Sequence, residues 1–187
     1  MNHKIKVIGL GGFAGVGKTS VAKCLELNLG YERVSFAWPL REMLLSMGMT
    51  ATELANKEVP IPRFGNKTPR FLLQTLGTEW GRDMVSKTLW VDIAKEMAQQ
   101  LIDKHISVVF DDVRFPEEVA AIKSLLDNAN IVRLWRVLPA REFEAKHVSE
   151  TQDLMLPSLD ITGQSPCDVA HLLDSFASFG LDKSEKF

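Results

Sequence analysis

Eight consecutive residues, Gly12-Phe13-Ala14-Gly15-Val16-Gly17-Lys18-Thr19, have the types and spacing G-x-x-x-x-G-K-[ST] of a loop that binds phosphate. Backbone N–H groups can wrap a polyphosphate only where glycines remove the Cβ and permit positive φ. The chemistry expected here is the holding of a nucleoside triphosphate by Gly12, Gly15, Val16, Gly17, Lys18, Thr19 and Ser20. Lys18 is expected to reach the β and γ phosphates, and the Thr19 hydroxyl to ligate Mg²⁺.

Two further groups carry polar chemistry. Val108-Val109-Phe110-Asp111-Asp112-Val113-Arg114 reads as a hydrophobic strand ending in carboxylates, and such a carboxylate can hold Mg²⁺ or its waters beside the first loop. Neighbouring strand residues face opposite ways, so only one aspartate enters the site. Asp112 is the one expected, with Arg114 close to it. Glu117 and Glu118 follow Pro116, where acidic residues also complement a helix dipole. In Thr68 to Thr78, Thr68 is suited to an N-cap and Pro69 to the first helical position. Arg70, Gln74, Gly77 and Thr78 then share one face at i, i+4, i+7 and i+8, with Gly77 leaving room for a ligand.

These groups need a scaffold, and the hydrophobic pattern supplies one. Lys4 to Leu10 is a short β-branched run ending in glycines, as a buried parallel strand reads. After the loop Val21, Leu25 and Leu29 recur every four residues, and Gly30 supplies a stop. Further helices are expected at Pro39 to Met47, Pro69 to Leu76, Lys87 to Lys104, Pro116 to Leu126 and Pro166 to Phe179. Strands are expected near Arg33 to Ala37, Ile106 to Val113, Ile131 to Val137 and Ser158 to Thr162. Five strands interleaved with helices predict an α/β fold: a mostly parallel sheet covered on both faces. Lys57 to Lys67 reads as a loop, and Leu138 to Pro157 as a lid-like excursion carrying Arg141, Lys146 and His147. A dinucleotide-binding reading of Gly9-Leu10-Gly11-Gly12-Phe13-Ala14 is set aside. That fold wants an acidic residue ending the second strand, and here Val34-Ser35-Phe36 runs into Ala37-Trp38-Pro39.

Composition narrows the classes. The 187 residues suit one α/β domain, and 45% hydrophobic content suffices for its core. A net charge of −2 argues against a protein that coats nucleic acid. No apolar run reaches the length of a membrane span, and the N-terminus lacks a leader pattern, so a cytoplasmic location is expected. Cys24 and Cys167 form no disulfide framework or metal spacing and read as small buried hydrophobes.

Together these pieces resemble the bacteriophage deoxynucleoside monophosphate kinase family. The resemblance rests on the phosphate loop, T-P-R-x-x-x-Q-x-x-G-T at Thr68 to Thr78, Trp90, D-V-R-F-P-x-E at Asp112 to Glu118, and H-x-S-E at His147 to Glu150. It implies one P-loop kinase domain over 1–187 with a three-layer fold, an acceptor-binding insertion at about 39–90 and a lid at about 138–157. It also implies acceptor contacts from Arg70, Gln74, Gly77, Thr78, Trp90, Asp112, Arg114 and Glu118, to which Arg82 is added. Glu117 departs from the pattern, which wants an amide there. Arg136 and Arg141 are candidate catalytic cations by charge and place, and Thr19 with Asp112 the candidate metal pair.

The implied reaction is in-line transfer of the γ-phosphoryl group of MgATP to a nucleoside monophosphate. A phosphate monoester with second pKa near 6 is already largely dianionic at neutral pH, so no general base is needed. Catalysis then asks for Lys18, Mg²⁺ and arginines to neutralise charge, and for a lid to exclude water. Neither nucleic acid nor a membrane is expected as a partner, and the chain is expected as a monomer or homodimer. A kinase of another phosphorylated metabolite, of the phosphomevalonate or dephospho-coenzyme A type, is the alternative within enzymes. A nucleotide-hydrolysing switch is disfavoured, because N-K-x-D is absent and no D-x-x-G follows Asp112.

Overall fold

The computed structural model describes residues 4–13, 15–135 and 156–179. The chain forms two compact units, one made of residues 1–35 and 94–187, the other of Phe36–Ile93.

The first unit is built on a five-stranded sheet in the order β2-β3-β1-β4-β5, with every neighbouring pair parallel. The strands are β1 Val7–Gly11, β2 Glu32–Val34, β3 Val108–Phe110, β4 Asn130–Trp135 and β5 Ser158–Asp160. β1 is buried on both faces, as its unbroken apolar run requires. Ile8 and Leu10 point into a core shared with Val21, Ala22 and Leu25 of α1 (Lys18–Leu29) and with residues of the C-terminal helix Pro166–Phe179. Gly9 faces the other way. A Cβ there would lie 3.1 Å from Ile122 on the helix Pro116–Lys123 and equally close to Ile131, so the bare backbone lets that helix close on the sheet. The expected α/β layering, with helices on both faces, is therefore present.

Cys24 and Cys167 are joined by a disulfide, with Cα atoms 5.2 Å apart, rather than lying apart as apolar fillers. The apolar seam between α1 and the C-terminal helix brings together residues 143 positions apart in sequence, a long-range closure that local spacing does not display. Lys6 Nζ and the Tyr31 hydroxyl both donate to Asp174 Oδ1, at 2.7 and 2.8 Å, which ties the same helix to the sheet. Burial, reinforced by that carboxylate, pushes the Tyr31 hydroxyl pKa far up.

The second unit is helical. It contains α2 (Trp38–Ser46), α3 (Ala51–Ala55), a 3₁₀ turn at Pro62–Phe64 and α4 (Pro69–Gln74), which runs on as a π-helical segment, Thr75–Val85. The first residues of α5 (Leu89–Asp103) complete it. Leu44, Met49 and Ile61 form its small core, with Leu72, Leu73 and Leu76 packed against them. Lys57 to Lys67, read as a loop, is braced by the 3₁₀ turn and an Ile61–Lys67 bridge. Among the described residues no helix is long and apolar enough to cross a membrane.

Candidate active site

The phosphate loop leaves the C-terminal end of β1 and turns into α1. Gly12 has φ of 121°, and a Cβ there would sit 2.3 Å from the Leu134 carbonyl oxygen, so a side chain is excluded by both backbone and space. Gly17 caps α1 at φ 109°, and the first turn of α1 holds no acidic residue to compete for its N–H groups. Val16 is buried in the core and anchors the loop from below. Lys18 Nζ donates to the Gly12 and Phe13 carbonyls at 2.7 and 2.8 Å. The ammonium is thus folded onto the loop, the place from which it can reach a polyphosphate. The Arg133 guanidinium lies over the Phe13 ring, 5.1 Å from its centroid.

The two aspartates after β3 take different partners. Thr19 Oγ1 donates to Asp111 Oδ2 at 3.2 Å, and Arg33 approaches the same carboxylate at 3.8 Å. Asp112 Oδ2 instead accepts from Ser35 Oγ at 2.7 Å. The carboxylate in contact with Thr19 is therefore Asp111, while Asp112, the one expected from the sequence, accepts from Ser35. Strand parity explains the reversal. Val109 points into the core that α1 covers, and Asp111, two residues on, continues along that face toward the start of α1. Thr19 and Asp111 offer hard oxygen donors side by side, a set that fits Mg²⁺.

Arg114 is exposed, and its backbone N–H donates to Glu118 Oε2 at 2.6 Å. The Phe115 N–H donates to the same oxygen at 3.0 Å. Glu118, only 3% exposed, thus caps the start of the helix Pro116–Lys123.

In the second unit Thr68 caps α4 as its sequence predicts, accepting from the Phe71 N–H at 3.2 Å. The polar stripe beyond it is arranged differently from the expectation. The space at Gly77 is filled by protein: a Cβ there would lie 3.1 Å from Leu40 Cδ1, and the Gly77 carbonyl accepts from Trp90 Nε1 at 2.8 Å. The Trp90 ring covers Gly81 so closely that a Cβ would fall 2.3 Å from it. Trp90 is 5% exposed, with Trp80 tilted against it at 5.9 Å between centroids. Arg70 pairs through Nε with the Glu58 carboxylate, and its backbone N–H donates to the Lys57 carbonyl at 3.0 Å. Gln74, Thr78 and Arg82 are partly exposed. Arg136, Arg141, His147 and Glu150 lie outside the described residues.

No family model matches the chain. A protein of Acanthamoeba polyphaga mimivirus named "Putative deoxynucleotide monophosphate kinase" is 31% identical over 169 residues, covering 83% of this chain and 86% of that protein. The chain belongs to the deoxynucleotide monophosphate kinase family. Its fold is shared at low identity by solved P-loop kinases. A Chloroflexus aurantiacus structure described as "a putative kinase" aligns with a TM-score of 0.54 at 11% identity, covering 94% of this chain and 97% of that one. A dephospho-CoA kinase from Campylobacter jejuni aligns at 0.52 and 12% identity, covering 94% and 99%. The sequence reading favoured Asp112 over Asp111 for the place beside Thr19. Asp111 was recoverable by counting strand parity from Val109.

Proposed function

We propose that this kinase transfers the γ-phosphoryl group of ATP to the phosphate of a deoxynucleoside monophosphate, in the cytoplasm. The observation that carries the reading is the Thr19–Asp111 contact beside a complete phosphate loop, in a chain of this family. Loop N–H groups at the start of α1 cradle the polyphosphate, and Lys18 exchanges the Gly12 and Phe13 carbonyls for phosphate oxygens. Thr19 and Asp111 would hold Mg²⁺, which would supply charge neutralisation for the phosphates. On the acceptor side Arg70, Gln74 and Thr78 offer a guanidinium, an amide and a hydroxyl. Arg114, Arg136 and Arg141 are further cations for the charge that develops in transfer.

The test is ADP release in a coupled assay with the four deoxynucleoside monophosphates and their ribo counterparts. ADP formation that depends on a deoxynucleoside monophosphate is the expected result, with the matching diphosphate appearing in equal amount. ADP formation indifferent to every monophosphate would overturn the reading.

A further inference from the structure

We propose that Cys24 and Cys167 form a redox-sensitive switch whose state is coupled to ATP binding at the phosphate loop. The coupling rests on the phosphoryl-donor reading above. Its ground is where the bond sits. Cys24 lies within α1, the helix that Lys18 and Thr19 open, and Cys167 lies in the first turn of the C-terminal helix. Their Cα atoms are 5.2 Å apart, within the span a disulfide bridges. Between β5 and Cys167 the chain passes the phosphate loop, where Ile161 Cδ1 lies 3.8 Å from the place a Cβ of Gly17 would take. The bond therefore closes a ring: from Gly17 along α1 to Cys24, across to Cys167, and back through Ile161 to Gly17.

The two helices are seated together by other contacts as well. Val21, Ala22 and Leu25 of α1 share one core with Val169, Ala170, Leu173 and Ala177, and Asp174 ties the C-terminal helix to Lys6 and Tyr31. All of these helix contacts come after Cys167, whereas residues 162–166 before it are exposed. The dithiol form therefore keeps the fold, and the bond's own restraint falls on the exposed stretch beside the phosphate loop. Both sulfurs are open to exchange. Each cysteine is half-buried, a helix's first turn favours the thiolate of Cys167, and Asn28 Nδ2 donates to its Sγ at 3.5 Å. In the cytoplasm proposed above, thiol pools break and re-form such a bond rather than leave it permanent. With glutathione disulfide as oxidant, the Cys167 thiolate attacks one of its sulfurs and releases one glutathione thiolate. The Cys24 thiolate then attacks the Cys167 sulfur and releases the second. Two electrons pass to glutathione, and the two protons lost by the cysteines go to the leaving thiolates.

The experiment equilibrates wild type with glutathione and glutathione disulfide over a range of ratios, with and without ATP, and counts free thiols by alkylation and mass spectrometry. A reversible two-thiol transition is expected, with a melting temperature about 5–15 °C higher in the oxidised form. ATP is expected to bind the oxidised form about fivefold or more tightly than the reduced one. By linkage, ATP then favours the bond by the same factor and moves the transition to lower glutathione disulfide at fixed glutathione, a shift that a purely structural disulfide does not show. Cys24→Ser, which cannot close the bond, is expected to melt and bind ATP as reduced wild type does. Two free thiols at every ratio, or a transition that ATP leaves in place although it binds, would overturn the proposal and leave the kinase reading standing. Failure of ATP to bind in either redox state would overturn both.

Discussion

At the phosphate loop of the first unit, sequence spacing and backbone geometry agree at Gly12, Gly15 and Gly17, which all take positive φ. In α4 and its π-helical continuation in the second unit, a polar pattern of similar clarity meets protein partners at Arg70 and Gly77. The difference lies in what each pattern controls. The loop's glycines set φ, a property of the residue itself, and its lysine acts a few residues away from the loop carbonyls. The helix stripe controls only direction, and what a side chain meets in that direction is decided elsewhere, by Leu40, Glu58 and Trp90.

The comparison is sharpest at the two aspartates, where the phosphate-loop end makes one long-range choice of its own. Asp111→Asn is expected to lower kcat/KM by about 100-fold, because it removes the charge beside Thr19. Asp112→Asn keeps an acceptor for the Ser35 hydroxyl and is expected to cost about fivefold or less. Steady-state kinetics on both variants decides the order. A greater loss at Asp112 would mean that strand parity does not govern the metal side of the site.

Much of the fold was legible because burial leaves a periodic mark. The β1 run, the α1 repeat and the strand ends near Val108 and Ile131 all announce themselves in the order of apolar residues. The π-helical continuation to Val85 was not legible. A helix ending near Leu76 was expected, yet Gly77 and Gly81 let the Trp90 ring lie against the backbone, and its N–H takes the Gly77 carbonyl. That arrangement depends on a residue thirteen positions away from Gly77, outside any local window. The Cys24–Cys167 bond and the pairing of Arg70 with Glu58 escaped for the same reason, since each joins elements whose proximity is tertiary. Asp111 differs from these, because parity with Val109 was present in the sequence and needed only the knowledge of which face α1 covers.

Trp90 offers a more modest way to break the contrast. If its task is to clamp Gly77 and Gly81, Trp90→Phe removes the indole N–H and leaves the Gly77 carbonyl short of a partner. The expected result is a melting temperature lower by about 2–6 °C, with monophosphate affinity unchanged. A scanning-calorimetry run beside a binding titration separates the roles. A large fall in monophosphate affinity at constant melting temperature would instead make Trp90 a ligand contact and return the stripe to the sequence's reading.

The smallest expected effect concerns the other end of the second unit, where polar residues serve structure alone. Arg63 grips both Glu53 oxygens at 2.6 Å and donates to the Gly48 carbonyl at 2.8 Å, while Glu53 closes a capping box with Thr50. The hydrogen bonds from Arg63, then those from Thr50, hold the Glu53 carboxyl down at about 2 from an ordinary 4.5. A carboxylate with a depressed folded pKa adds stability above its unfolded value. That contribution fades as pH falls from about 4.5 through about 2. The pair is open to solvent, so Glu53→Gln is expected to lower the melting temperature at neutral pH by only about 1–3 °C. Near pH 2 the difference between variant and wild type should shrink, because wild type is then losing the same charge. Melting both proteins across that range is the check. A difference that stays constant with pH would show that the Glu53 charge contributes nothing and that shape alone holds this corner.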